Sequence, residues 1–118
     1  MDIIELRDFC LSLKEAEETT PFGPDWLIYK VRGKMFAAVD LNRPRLVTLK
    51  CDPDYAEELR DHYAGVEPAW HFNKTYWNQV WLDRDVPEEL VRSLVRHSLA
   101  EVVKKWSRKA REDYEAHD

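Results

Sequence analysis

The residues from Pro68 to Leu82 (PAWHFNKTYWNQVWL) combine aromatic rings with a histidine and a lysine, and three of the chain's five tryptophans lie among them. Aromatic side chains can stack on nucleic-acid bases while a neighbouring lysine contacts phosphate. The candidates for these roles are Trp70, His71, Phe72, Lys74 and Trp77. The same rings could instead be structural, folding the segment onto a sheet and filling the core, and the sequence leaves that alternative open.

Two patterns divide this stretch. In its second half the residues alternate, which predicts a β-strand. Tyr76, Asn78, Val80 and Leu82 would point to one side, and Trp77, Gln79 and Trp81 to the other. Residues 64–74 show no period and contain Gly65 and Pro68, so they predict a loop. Residues 68–77 are termed the aromatic loop below.

Basic residues are concentrated upstream of the aromatic loop. The chain has a formal net charge of −5, yet residues 26–50 contain six bases and one acid. Lys30, Arg32, Lys34 and Lys50 lie near a predicted hairpin tip or on the solvent side of predicted strands. They could contact a phosphate backbone, with the hairpin acting as a wing. Alternatively, they are sheet-edge charges that prevent strand-to-strand aggregation.

The sequence offers little support for catalysis, a cofactor or a metal. Its three glycines form no phosphate-binding loop or nucleophile elbow. His71 is the only histidine in a plausible site, and the four histidines show no metal-ligand spacing. Cys10 and Cys51 lie in apolar surroundings and are expected to be buried free thiols. We therefore expect a non-enzymatic domain without a cofactor.

The hydropathy of the sequence predicts where in the cell the protein lies. No apolar run approaches the length that crosses a membrane. The first residues are amphipathic and lack a basic segment followed by an apolar run, so we expect no signal peptide and a cytoplasmic location.

Local signals divide the chain into elements. We expect a helix over 2–14 capped by Asp2, a linker over 15–25 and a hairpin over 26–40 around Arg32-Gly33. Pairing across a two-residue loop would join Val31 to Lys34, Tyr29 to Phe36, and Leu27 to Ala38. A third strand over 46–51 and a helix opened by Asp52-Pro53 follow, and this helix should end near Gly65. Pro87 opens the longest helix, which should run to about Trp106 before the polar end frays.

This order predicts the fold class. One domain over residues 1–118 should form an α+β, two-layer structure, with an antiparallel β-sheet and helices packed on one face. The opposite sheet face would then be partly open to solvent.

Several motifs resemble those of the MmcQ/YjbR family of small bacterial proteins. They are Pro21-Phe22-Gly23, Tyr29-Lys30-Val31, residues 33–37 (GKMFA), residues 49–53 (LKCDP), residues 65–74 (GVEPAWHFNK) and Trp77-Asn78. The resemblance implies a frataxin-like (CyaY-like) fold, which agrees with the predicted order of elements.

The resemblance also implies a function, because this family is described as DNA-binding through a double-wing arrangement. The residues carried over by the matching motifs are Lys30, Lys34, Lys50, Trp70, His71, Asn73, Lys74 and Trp77. A frataxin-like iron role would need an acidic ridge, for which Asp2, Glu5 and Asp8 are the candidates.

Three hypotheses follow from the sequence. The first is DNA binding through the basic sheet face and the aromatic loop. The second is a protein- or small-ligand-binding module with an aromatic cleft around Trp70, His71 and Trp77. The third is an enzyme using His71, which requires a carboxylate or hydroxyl within hydrogen-bond reach of its ring. The oligomeric state is not specified by the sequence.

Overall fold

A computed structural model describes residues 1–117 as a six-stranded antiparallel sheet with four helices. In chain order the elements are α1 (Ile3–Ser12), β1 (Ala16–Thr19), β2 (Trp26–Val31), β3 (Lys34–Asp40), β4 (Leu46–Lys50), α2 (Pro53–His62), β5 (Val66–Pro68), β6 (Trp77–Trp81), α3 (Glu88–Lys104) and α4 (Arg108–Ala116). The strand order is β1-β2-β3-β4-β6-β5.

The core lies between one face of the sheet and the helices. Helix α3 packs across β3 and β4, α1 packs beside β1, and α2 packs beside β5. Leu6 and Val95 from the helices are fully buried with Tyr29, Val47 and Val80 from the strands. The predicted α+β class is therefore confirmed. Among residues 1–117, no helix is both long enough and apolar enough to cross a bilayer.

Side chains cap the first two helices as predicted. The Asp2 carboxylate accepts from the backbone N–H of Glu5, whose own carboxylate accepts from the Asp2 N–H, which completes a capping box. The Asp52 carboxylate accepts from the Tyr55 N–H, and Pro53 occupies the first turn, where a missing N–H is tolerated. These caps fix where the chain enters both helices.

The predicted hairpin forms, but part of its predicted register is wrong. Val31 pairs with Lys34 across Arg32 and Gly33, whose φ angles of 46° and 82° suit a tight hairpin turn. A β-bulge then shifts the register, so that Tyr29 pairs with Ala37 instead of Phe36. The same shift pairs Leu27 with Val39 instead of Ala38. A bulge lets two neighbouring residues share one side of a strand, and Phe36 and Ala37 are both fully buried in the core.

The predicted linker over 15–25 contains a strand. Ala16–Thr19 (AEET) forms β1 and pairs with β2 at the sheet edge. Its glutamates have low strand propensity, so its stability comes from tertiary partners. Arg7 donates two hydrogen bonds to the Glu18 carboxylate at 2.8 and 3.1 Å, and the Tyr29 hydroxyl donates a third at 2.9 Å.

The end predicted to fray is a helix. Ser107 caps α4 by accepting from the Ala110 N–H. The Tyr114 ring is buried and meets the edge of Trp106 with 5.4 Å between ring centroids. Docking of these aromatic rings orders a segment whose own composition is polar.

The predicted loop over 64–74 also contains a strand, Val66–Pro68. Helix α2 ends at His62, and Tyr63 is its C-cap, so Gly65 does not terminate it as predicted. Glycine is needed at position 65 because the backbone there lies close to the Asp85 side chain. A Cβ at this position would lie 2.9 Å from an Asp85 carboxylate oxygen. Asp85 accepts hydrogen bonds from the N–H groups of Ala64 and Gly65 at 2.8 and 2.7 Å, and these bonds lower its pKa.

Candidate nucleic-acid interface

The sheet face opposite the helices, termed the open face, is only partly open. Cross-strand pairing aligns Ile28, Ala38, Thr48 and Gln79 on it. All four are less than 9% exposed, although they face away from the core. The aromatic loop covers Thr48 and Gln79, since Trp70, His71 and Phe72 line one small cavity together with these two residues and Trp26.

Lys74 and Asn73 are exposed, and both form hydrogen bonds with the backbone of the aromatic loop. The Lys74 ammonium donates to the carbonyl of Ala69 at 2.6 Å and to that of Trp70 at 3.5 Å. The Asn73 carbonyl accepts from the Trp77 N–H at 2.9 Å, and its side-chain oxygen accepts from the Thr75 N–H at 2.9 Å. In this structure Lys74 therefore holds the loop's backbone, where the sequence suggested a phosphate contact.

Aromatic packing presses the loop onto the sheet. Phe72 lies between Trp77, at 5.4 Å, and Trp26, at 6.4 Å between ring centroids. His71 meets Trp26 edge-on at 6.0 Å. The cavity volume enclosed between loop and sheet is only about 20 Å³. These rings serve as packing contacts as well as candidate binding groups.

A polar network fixes the strand beneath the loop. Glu67 accepts from the Gln79 side-chain amide at 2.9 Å and from the Trp81 indole N–H at 2.6 Å. The Gln79 oxygen in turn accepts from the Trp70 backbone N–H at 3.3 Å. Buried polar side chains need such partners. The network explains why Gln79 can lie buried on this face.

Three aromatic side chains of this region, Trp70, His71 and Tyr76, remain exposed. Trp70 is 44% exposed and Tyr76 is 42% exposed. The Arg43 guanidinium carbon lies 4.6 Å from the centroid of the Trp70 ring, a cation–π arrangement. Exposed rings beside a cation are the geometry that stacks bases and contacts phosphate.

Lys30 and Lys50 lie on the open face, on β2 and β4, with β3 between them. Lys50 pairs across the sheet with Trp77, while Lys30 pairs with Glu17 and Met35. Partial burial lowers the pKa of Lys50, and the neighbouring charge of Lys105 lowers it further.

The other two predicted cations lie elsewhere. Arg32 is held on the helical side, where it forms ion pairs with Glu15 at 3.0 Å and Asp113 at 2.9 Å. Its guanidinium also lies 5.3 Å from the Tyr114 ring centroid. Lys34 is exposed at the hairpin. The structure thus places Lys50 beside Trp77 of the aromatic loop. Lys30 lies on the same face but two strands farther away, and Arg32 lies on the helical side.

Sequence reasoning did not select three other cations near these groups. Lys104 and Lys105 lie at the end of α3, on the helical side of the molecule, and their charges are close enough to Lys50 to lower its pKa. Arg43 lies in the β3–β4 turn, against Trp70. Helix-end lysines ordinarily suit the helix dipole, so their types and spacing gave no signal of a shared surface.

The enzyme and metal hypotheses gain no support from the described residues. Within residues 1–117, no carboxylate or hydroxyl hydrogen-bonds the His71 ring, and no group of three or more His, Cys, Asp or Glu side chains is arranged to hold a metal ion. Asp2 and Glu5 are engaged in the α1 capping box.

Sequence comparison assigns the family. The YjbR family profile matches residues 11–100. The uncharacterized protein YjbR of Escherichia coli K12 is 36% identical over 107 residues, which cover 87% of this chain and 88% of that protein. This chain belongs to the YjbR family. The uncharacterized protein YbdF of Escherichia coli O157:H7 is 32% identical over 93 residues, covering 78% of this chain and 76% of YbdF.

Solved structures agree with this membership. The crystal structure of Deinococcus radiodurans protein DR2400, with a DUF419 domain, matches with a TM-score of 0.90 and 35% identity, covering 99% of this chain and 90% of that one. The crystal structure of a protein from Pseudomonas syringae matches with a TM-score of 0.76 and 21% identity, covering 86% of this chain and 99% of that one. At this identity the match shows a shared fold alone. The family and its fold are established, and the names of these relatives state no activity.

Proposed function

We propose that this YjbR-family domain is a non-enzymatic DNA-binding module that prefers single strands. Bases would stack on the exposed rings of the aromatic loop, and phosphates would contact Lys30, Lys50 and Arg43. The observation that carries the proposal is Trp70, whose ring is 44% exposed beside the Arg43 guanidinium on the face that also presents Lys50.

The preference for single strands follows from charge and access. Tight duplex binding by phosphate contacts alone requires many cations, and a net charge of −5 opposes it. Stacking contributes about 1–3 kcal/mol per base and requires bases that are not already paired in a duplex. A surface with an exposed tryptophan and a few cations is therefore better suited to an unpaired strand.

A small-ligand site at the same rings is less well supported. Ligand pockets typically enclose about 300–1,000 Å³. The cavity under Trp70 and His71 has a volume of about 20 Å³, because the loop is packed tightly against the sheet.

We propose that the domain acts in the cytoplasm. Cys10 and Cys51 are buried free thiols, a state that a reducing compartment preserves. No step of DNA binding through the open face requires either cysteine.

Fluorescence anisotropy with a labelled oligo-dT and a duplex of equal length, titrated over a salt series, tests the proposal. Single-strand binding should exceed duplex binding, and Trp70→Ala should weaken it about tenfold or more. Lys50→Gln should reduce the slope of log K against log salt concentration by about 0.7.

Lys109→Gln is the matched control, because it removes an exposed cation on α4, away from the open face. This variant should bind like the unmodified protein. Absence of DNA binding at low salt, or an equal loss of DNA affinity in Lys50→Gln and Lys109→Gln, would contradict the proposal.

A further inference from the structure

A groove on the helical side of the molecule, termed the helical groove, lies where the end of α1 meets α3 and α4. Its floor is apolar, formed by Leu13, Leu99, Val103 and the ring of Tyr114. Its cavity volume is about 500 Å³, within the range of small-molecule sites. It lies across the sheet from the open face and plays no part in the proposed DNA contacts.

Four cations line this groove against one acid. Lys14, Arg96, Lys104 and Arg111 surround the apolar floor, and Glu115 is the only carboxylate that lines it within residues 1–117. Lys104 pairs with Glu101 at 3.1 Å, outside the groove lining. The other three form no ion pair within the part of the chain that the structure describes. This local excess of positive charge stands out in a chain with a net charge of −5.

Helix dipoles do not account for the whole set. Lys14 and Lys104 lie at the ends of α1 and α3, where a cation is favourable. Arg96 lies in the middle of α3, and Arg111 lies near the start of α4, where a cation gains nothing from the dipole. Arg96 has a partner on α1, because its guanidinium carbon lies 4.9 Å from the centroid of the Phe9 ring, so Arg111 is the cation that needs another explanation.

Arg111 and Lys14 both line the groove, and each has a feature that favours an anion there. The Nε of Arg111 is buried and has no hydrogen-bond partner in the described structure, which leaves a charged donor unsatisfied. The Lys14 ammonium lies 4.6 Å from the centroid of the Tyr114 ring. An anionic group placed between them would receive charge-assisted hydrogen bonds while an attached chain covered the floor.

We propose that the helical groove binds an anionic amphiphile, specifically an aliphatic monocarboxylate. The carboxylate accepts hydrogen bonds from Arg111 and Lys14, and Arg96 and Lys104 add favourable charge. The aliphatic chain covers Leu99, Val103 and the Tyr114 ring. The charge selects the headgroup, and the apolar floor accommodates the chain.

Isothermal titration calorimetry with sodium decanoate, below its micelle concentration, tests this proposal. We expect one saturable site per chain, with much weaker binding of butanoate, which lacks the chain, and of decylammonium, which reverses the charge. Amide chemical-shift changes should cluster around residues 96–104 and 111–115. Failure of decanoate to bind, or equal binding of decylammonium, would overturn the proposal.

Matched variants locate the site. Arg111→Gln should weaken decanoate binding about tenfold or more. Arg111→Lys keeps the positive charge, so it should lose less affinity for decanoate. Lys109→Gln, on the same helix but outside the groove, should bind normally. Unchanged binding by Arg111→Gln would overturn the assignment of the headgroup site. Because the open face is intact in these variants, their oligo-dT binding reports separately on the proposed function.

Discussion

At the residue scale, Ser98 joins α3 to the sheet. It is fully buried, its hydroxyl donates to the Phe36 carbonyl at 2.5 Å, and the same oxygen accepts from the Lys50 N–H at 2.8 Å. The β3–β4 pairing ends at Ala37 and Leu49, so one serine bonds two backbone groups just beyond the last strand pair.

Ser98→Ala should lower the free energy of unfolding by about 2–4 kcal/mol, because it leaves two buried backbone groups without partners. Urea denaturation followed by circular dichroism measures this loss. Ser93→Ala, at an exposed position of the same helix, should change stability by less than about 0.5 kcal/mol. A loss of similar size in both variants would contradict this role for the buried hydroxyl, because replacing serine by alanine favours a helix by itself.

The sequence did not identify Ser98, because its helix contains another serine in similar surroundings. A hydroxyl on a helix face carries no local sign of the carbonyl it will meet, and Phe36 lies 62 positions away. The β-bulge beside the Phe36 carbonyl also depends on the packing of Phe36 and Ala37 in the core.

At the scale of elements, the aromatic loop depends on Lys74. Lys74→Met should leave the Ala69 and Trp70 carbonyls without their charged donor and loosen residues 69–76, at a cost of about 1–2 kcal/mol. Native-state hydrogen exchange should show faster exchange of the Tyr76 and Trp77 amides. Lys34→Met, at the exposed hairpin, is the control and should leave their exchange unchanged. Unaltered exchange in Lys74→Met would show that the aromatic packing alone holds the loop.

The edge strand β1 should respond to acid. The hydrogen bonds from Arg7 lower the pKa of Glu18 below its ordinary value of 4.5, and the Tyr29 hydroxyl lowers it further. Because the folded state binds this proton less readily than the unfolded chain does, the stability is present above about pH 4.5 and is lost as the pH falls through the folded pKa. The hydrogen-bonded ion pair with Arg32 likewise lowers the pKa of Glu15.

Urea midpoints measured between pH 7 and pH 3 should therefore fall on acidification. In Glu18→Gln the midpoint should be lower at pH 7 and should depend less steeply on pH. Parallel curves for the two proteins would mean that other carboxylates control acid stability.

At the scale of the whole molecule, one core connects all the helices. Tyr114 from α4 belongs to the same cluster of buried residues as Leu6 from α1, Ala56 from α2 and Val95 from α3. A shared core of this kind is expected to unfold in a single step in a chain of this size.

Urea unfolding should accordingly give the same midpoint by tryptophan fluorescence and by far-ultraviolet circular dichroism, as expected for one domain over residues 1–118. The five tryptophans, from Trp26 to Trp106, sample both faces of the sheet. Two separate transitions, in particular early loss of α4, would contradict the single-domain prediction.

The sequence by itself determined the elements that carry strong local signals. Asp2 and Asp52 marked two helix starts, Arg32-Gly33 marked the hairpin, and the alternation over 76–82 assigned the faces of β6. Each signal depends on residues within a few positions of one another, so it can be interpreted without tertiary information.

Only the tertiary structure decided the features that need distant partners. Strand β1 requires Arg7 and Tyr29, and α4 requires the ring of Trp106. Folding of the aromatic loop over the open face requires Trp26 and Gln79. Their segments have weak or misleading local preferences, and burial against remote side chains outweighs those preferences. For the same reason the family's aromatic and basic motifs were visible in the sequence, while their division between structural support and exposed surface was determined by the fold.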